Sequence, residues 1–348
     1  MMMKPLKIVL TACGCPGAST LIRMLKNNGE RKVEVIGTDM DPEAIGRFLA
    51  DKFYQVPPAN SQEYIPNMLD IVEKEKPDIL FPESSLEVYP LACNKKKFEE
   101  NGTKVLVSDP EMIEIANNKY LTYERLKGAI DLPKYRIARN LDEFIKIVYE
   151  LGYPEKPVVF KPPVGKGSRG LRIIDPRIDR KEQLLKRKPN ARYISLEEME
   201  HIFREGDFPE LLVMEYLGEE EHATDSIAMK GRELLTTVKT VEQTRWGVIV
   251  RGELVRRDDL VEQTRKILER IKLSYCVNMQ FVGGKLIEIN PRVSSFIYQP
   301  NLIAPYLAIK LALGELSEDE IKKYRDKIAY GRRMVRYMDQ VFYGGKNV

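Results

Sequence analysis

Short apolar runs alternate with helical repeats along the first third of the chain. Residues 7–11 read as a strand and 14–17 as a tight turn. Residues 18–28 read as a helix with Leu21, Ile22 and Leu25 on one face and Gly29 as its stop. A second strand is expected at 33–38, ending at Asp39. A helix at 64–75, a strand at 79–82, a helix at 88–101 and a fourth strand at 104–107 follow. Strands that alternate with helices predict a parallel sheet with right-handed crossovers.

The middle third changes its pattern. Residues 111–118 predict a helix capped by Asp109 or Pro110. A second helix within 119–138 buries Leu121, Tyr123, Leu126 and Ile130, and a third spans 141–151. The apolar run 158–160 then reads as a strand that Lys161 ends. Pro162-Pro163, the loop GKGSRG at 165–170 and a second apolar run at 171–174 complete a hairpin. Residues 175–209 read as a charged, helical surface segment with Ile194, Leu196, Met199 and Phe203 spaced for partial burial.

The last third reads as a strand at 211–214 and a hairpin, 227–229 with 234–239, around Gly231. A helix at 255–271 is apolar on one side. An antiparallel pair, 275–282 with 285–289, turns at Gly283-Gly284, and an apolar helix at 302–313 ends at Gly314.

The 348 residues, 43% hydrophobic and 31% charged, suffice for two or three domains. A net charge of +4 set among 52 acidic residues points to a local phosphate site and away from nucleic acid. No apolar segment is long enough to span a bilayer. Met1-Met2-Met3-Lys4 leads into a strand without the apolar core of a signal peptide, so a cytoplasmic protein is expected. Cys13, Cys15, Cys93 and Cys276, with only His201 and His222 as imidazoles, lack zinc-site spacing and are expected as structural thiols.

Three stretches carry candidate chemistry. In the loop 165–170, glycines let backbone N–H groups approach an anion, and Lys166 and Arg169 add charge. Lys161 reaches in from the strand below. This suits a flap over polyphosphate; an ordinary solvated hairpin is the competing reading. It is not a Walker A loop, because Gly167-Ser168-Arg169 leads into a strand. In the late hairpin, Glu288 and Asn290 alternate on one strand and face the same way, with Gln280 on the paired strand. These hard oxygen donors suit Mg²⁺ bound with phosphates, and Arg292 can clamp a phosphoryl oxygen. A strand with one polar, solvated face is the alternative. At the first sheet, Gly14-x-x-Gly17 with Asp39 lacks the G-x-G-x-x-G spacing of a dinucleotide site. Glu83 or Glu87 could hold an amine or be exposed loop acids. Ser84, Ser294 and Ser295 are further candidates for a substrate pocket.

Together these stretches resemble the ATP-grasp superfamily, in particular its carbamoyl-phosphate-synthase-like carboxylate–amine ligases. The resemblance runs through Asn118-Lys119, Lys161 with 165-GKGSRG-170, 213-VMEYL-217, 218-GEEEHATD-225, and Gln280 with 288-EINPR-292. It implies an α/β chain: a pre-ATP-grasp domain at 1–113, a central lobe with the flap at 114–213, and a C-terminal lobe with the metal strand at 214–348. Lys119, Lys161 and the flap residues Gly165, Gly167, Ser168 and Arg169 would bind ATP phosphates. The backbone of Glu215, Tyr216 and Leu217 would hold the adenine, and Glu221 the ribose, with Glu220 as the alternative. Glu288 and Asn290, with Gln280 as a further ligand, would place Mg²⁺ or Mn²⁺. Arg292, Lys161 and Arg245 would act on the transferred phosphoryl. Asn118 departs from the family's acid, so the pairing that acid makes is lost.

The implied reaction joins a small-molecule carboxylate to an amine through an acyl phosphate, with ADP released. A kinase that stops at a phosphorylated product and an inactive nucleotide-binding regulator are the alternatives. The resemblance offers a homodimer as the prior assembly. Nucleic acid and membrane partners are not expected.

Overall fold

The computed structural model describes residues 3–165, 169–186, 192–218, 220–245, 247–294, 296–299 and 301–344. The chain groups into two compact units. One comprises Met1–Glu114, His222–Met279 and Ile289–Val348; the other comprises Ile115–Glu221 and Gln280–Glu288.

The first unit opens with a parallel sheet. Its strands are β1 (Leu6–Leu10), β2 (Val33–Asp39), β3 (Lys52–Gln55), β4 (Ile79–Phe81) and β5 (Lys104–Val105), in the order β3-β2-β1-β4-β5. All four pairings are parallel. The chain builds outward from β1 to one side, then returns to start β4 on the other. Ligands of open parallel sheets bind at such a reversal, here at the carboxyl ends of β1 and β4. Alternation along β1 divides the core. Ile8 and Leu10 pack with Leu21, Ile22 and Leu25 of the helix Ala18–Lys26, as the spacing predicts. Val9 faces the opposite layer, with Tyr64, Met68 and Val72 of the helix Tyr64–Glu75.

Two expectations for this region are corrected. The strand expected fourth is the fifth, because β3 also pairs with β2. β3 reads Lys-Phe-Tyr-Gln and has no apolar run. As an edge strand it is half-exposed, and backbone pairing holds it. The helix expected at 88–101 is two helices, Val88–Cys93 and Lys95–Glu100, with Asn94 at the break.

The second unit holds β6 (Tyr135–Ala138), β7 (Val158–Lys161), β8 (Arg172–Ile174), β9 (Tyr193–Ile194) and β10 (Leu211–Glu215), in the order β6-β10-β7-β8-β9. β7 and β8 pair antiparallel, forming the predicted hairpin. Its core joins Phe144 and Val148 of the helix Leu141–Glu150 to Val158, Phe160 and Val213 of the sheet. Leu196 and Met199, on the helix Leu196–Arg204, add to it.

The remaining strands are β11 (Glu221–Met229), β12 (Arg232–Thr240), β13 (Gln243–Arg245), β14 (Val248–Val255), β15 (Tyr275–Val282), β16 (Lys285–Asn290) and β17 (Arg333–Val335). Their order is β13-β14-β12-β11-β15-β16, with β17 on β14. β11 begins six residues before the expected strand at 227, because Ala223 to Ser226 are buried and paired with β12. The helix expected at 255–271 starts at Asp258, since 248–255 is β14. Gly283-Gly284 turns β15 into β16 as predicted, both glycines having positive φ. Among the described residues no helix is long and apolar enough to cross a membrane.

Candidate functional site

Within the second unit, two buried lysines meet one carboxylate. Lys119 opens the helix Lys119–Leu126, whose N-cap is Asn118. The Asn118 side chain accepts from the backbone N–H groups of Tyr120 and Leu121, at 3.0 and 3.2 Å. Asparagine here thus caps a helix, a role an acid would also fill. The Lys119 ammonium donates to the Gly165 carbonyl at 3.2 Å and lies 3.5 Å from a Glu288 oxygen. Lys161, the last residue of β7, is 6% exposed and donates to the Ile287 carbonyl at 3.0 Å. Burial pulls its ammonium down to about 7; the charge of Lys119 adds to that and Glu288 opposes it. Sequence reasoning named all three residues, and the fold brings them together.

The base of the flap is anchored beside them. The backbone N–H of Lys119 donates to the Pro163 carbonyl at 2.9 Å, and Asn118 bridges to Val164. Gly170 has φ +76, and a Cβ on it would lie 2.6 Å from Pro162 Cδ, so only glycine fits. Arg169 is exposed. Lys166, Gly167 and Ser168 lie outside the described residues.

The proposed nucleotide strand is β10. The Glu215 side chain accepts from the Lys134 N–H at 2.9 Å and from Lys285 at 3.0 Å. Its carboxyl is held below the ordinary value: burial pushes upward, and these donors outweigh it. Tyr216 and Leu217 are half-buried. Glu221 is also half-buried, and burial raises its carboxyl, with Arg192 opposing and Glu288 adding. Glu220 is exposed.

Within the first unit, Asn290 is buried at the end of β16 and donates its amide to Asn278 Oδ1 at 3.2 Å. Arg292 donates from Nε to Ser85 Oγ at 2.6 Å and to the Val293 carbonyl at 2.7 Å. Arg245 is exposed on β13, Ser84 and Ser294 are half-buried, and Ser295 lies outside the described residues. Glu83 and Glu87 are buried, at 4% and 6% exposure, which removes the alternative that they are exposed loop acids. Thr11 donates its hydroxyl to Glu87 at 2.6 Å, and burial raises Glu87 to about 7. Burial raises Glu83 to about 8, with Arg292 and Arg336 opposing. The approach of Glu83 to Gly17 is so close that a Cβ there would sit 2.7 Å from Oε1.

The metal candidates comprise one carboxylate, Glu288, and two amides, Gln280 and Asn290. Among the described residues there is no cluster of three His, Cys, Asp or Glu that could hold a metal. Sequence reasoning missed Asn278 and Ser85. A polar residue flanked by Val277 and Met279 was the available signal for the former.

Known proteins resemble this chain in sequence and in fold. The family described as "ATP-grasp in the biosynthetic pathway with Ter operon" matches residues 207–333, and "PylC-like, N-terminal domain" matches residues 8–106. The carbamoyl phosphate synthase large chain of Clostridium acetobutylicum is 25% identical over 309 residues, covering 83% of this chain and 26% of that protein. This chain therefore spans about a quarter of that relative's length. The N5-carboxyaminoimidazole synthetase of Staphylococcus aureus, solved with ADP, superposes with a TM-score of 0.60 at 16% identity, over 88% of this chain and 78% of that one. The biotin carboxylase domain dimer of Hydrogenobacter thermophilus 2-oxoglutarate carboxylase, solved with MgADP, ADP and bicarbonate, gives 0.62 at 20% identity, over 95% and 74%. The two family matches, the synthase relative and the shared fold support the resemblance of this chain to the ATP-grasp superfamily and its carbamoyl-phosphate-synthase-like carboxylate–amine ligases.

Proposed function

We propose that the protein is a cytoplasmic, ADP-forming ligase that activates a small-molecule carboxylate with ATP and Mg²⁺ and couples it to an amine. One observation carries the reading: Lys119 and Lys161 are buried side by side, with the Glu288 carboxylate 3.5 Å from Lys119. Burial and the charge of Lys119 pull the Lys161 ammonium down to about 7, and a bound anion would restore its charge and offset the cost of burying both lysines. A polyphosphate supplies that anion. The fold neighbours solved with ADP and MgADP support the choice of nucleotide.

In this reading residues 1–113 serve as the pre-ATP-grasp domain, 114–213 as the flap-bearing lobe and 214–348 as the lobe with the metal strand. Lys119, Lys161, Gly165, Gly167, Ser168 and Arg169 hold the phosphates. The backbone of Glu215, Tyr216 and Leu217 holds the adenine, and Glu221 the ribose. Glu288, Asn290 and Gln280 hold Mg²⁺, with Mn²⁺ as a substitute. Their carboxylate and amide oxygens are the hard donors such an ion takes, and one acid among them leaves ligand positions for phosphate oxygens. A bound ion would neutralise polyphosphate charge.

A substrate carboxylate oxygen attacks the γ-phosphorus, the bond to the β–γ bridging oxygen breaks, and ADP leaves. Arg292, Lys161 and Arg245 offset the charge on the transferred phosphoryl. The amine nitrogen then attacks the acyl carbon, phosphate departs, and the nitrogen releases a proton. The flap keeps water from the acyl phosphate.

ADP release should be measured across a panel of carboxylates and amines. Turnover that requires one of each supports the ligase. Turnover with a single substrate identifies a kinase, and nucleotide binding without turnover identifies a regulator. Sedimentation would test the homodimer, the assembly named for the biotin carboxylase domain.

A further inference from the structure

A line of buried polar side chains ends on Asn290, and every hydrogen bond in it has a forced direction. Lys239 on β12 is wholly buried and pairs with Asp225 Oδ2 on β11. The other oxygen, Asp225 Oδ1, accepts from Asn278 Nδ2 at 2.9 Å. The same Nδ2 donates to the Thr224 carbonyl at 3.1 Å. Neither a lysine-paired carboxylate nor a backbone carbonyl can donate, so only the NH₂ end of Asn278 fits between them. Its Oδ1 must therefore point the other way, and it accepts from Asn290 Nδ2 at 3.2 Å. That contact uses one N–H of the Asn290 amide and leaves its oxygen on the side away from Asn278. Flipping either amide would set oxygen against oxygen in a site at most 8% exposed.

We propose that Asn278, held by the Asp225–Lys239 pair, is a positioning residue that locks the Asn290 amide with its oxygen presented to the metal. The inference rests on the assignment of Asn290 as a metal ligand. It adds three residues to the working site, none of which need touch nucleotide or ion. Without Asn278, the Asn290 amide loses this constraint and presents NH₂ or oxygen to the ion with little preference. A misdirected amide cannot ligate. Partners that orient metal ligands in this way are worth about 10- to 100-fold in metal affinity.

The test is Mn²⁺ binding in the presence of ADP, read by electron paramagnetic resonance without turnover. Asn278→Ala should weaken Mn²⁺ about tenfold while metal-free ADP affinity stays within about twofold. Asn290→Ala should weaken Mn²⁺ at least as much, and Asn278→Ala should have no further effect in that background. Unchanged Mn²⁺ affinity in Asn290→Ala would overturn the ligand assignment itself. Weakening in Asn290→Ala but not in Asn278→Ala would overturn the positioning role alone. If Asn278→Ala does not fold, Asn278→Ser, which keeps a small polar group, replaces it with the same expected outcomes. An equal effect of Asn278→Ser on metal-free ADP and on Mn²⁺ would also overturn the proposal, as a general loss of structure.

Discussion

The Lys161 ammonium lies 3.0 Å from the carbonyl oxygen of Ile287, one residue before Glu288. A lysine built to pair with a structural acid would meet a carboxylate at this distance. Lys161 meets a backbone carbonyl and shares its pocket with a second cation, Lys119. Lys161→Met should therefore weaken ATP binding about tenfold or more, the worth of one charge-assisted hydrogen bond to phosphate. It should leave the melting temperature unchanged or raised, because a buried ammonium is removed. Calorimetric titration and thermal melts read both. A large stability loss with unchanged ATP affinity would make Lys161 a structural residue.

Glu288 is the acid of the proposed metal set and lies 3.5 Å from Lys119. Glu288→Ala should lower turnover by at least about a hundredfold, above what loss of an orienting partner costs. Asn290→Ala should do nearly the same. Circular dichroism should show the fold retained, with a stability loss of about 1–2 kcal/mol from leaving Lys119 less compensated. Turnover within a few-fold of the parent in Glu288→Ala would sink the metal assignment.

The flap prediction concerns residues 163–171. Its base is tied to Lys119 through the Pro163 and Gly165 carbonyls. Hydrogen exchange across this stretch should slow when a non-hydrolysable ATP analogue and Mg²⁺ are added. Gly170→Ala should abolish that protection, because φ +76 and the 2.6 Å approach of Pro162 Cδ leave no place for a Cβ. Equal exchange with and without bound analogue would leave a static hairpin.

Much of this was legible because the signals are local. A lysine ending an apolar run before a Gly-rich loop, and Glu288-x-Asn290 on one strand after Gly283-Gly284, mark hairpins whose geometry follows from short-range rules. What was not legible depends on distant partners. β3 forms because β2 offers an edge, and its own residues lack an apolar run. Glu87 is buried, and its hydrogen-bond donor Thr11 lies 76 positions away. Asn278 stands out as a polar residue in an apolar strand, but its direction is set by Asp225 and Thr224 across the sheet.

The last prediction follows from Glu83 and Glu87. Among the described residues Glu83 Oε2 is buried without a hydrogen-bond partner, and Arg292 and Arg336 offset only part of the cost of burial. Burial raises Glu83 from 4.5 to about 8 and Glu87 from 4.5 to about 7. Between the unfolded and folded values the native state binds protons that the unfolded chain has released. Stability from these groups is thus fully present below pH 4.5 and is lost as pH rises through 7 and 8. Each group contributes a slope of up to about 1.4 kcal/mol per pH unit. Glu83→Gln keeps the side chain's shape and removes one of the two titrations. The variant should match the parent most closely near pH 5 and gain on it steadily towards pH 8, in urea midpoints taken across that range. Parallel curves for variant and parent would mean that Glu83 titrates alike in both states, and that its burial carries no proton-linked cost.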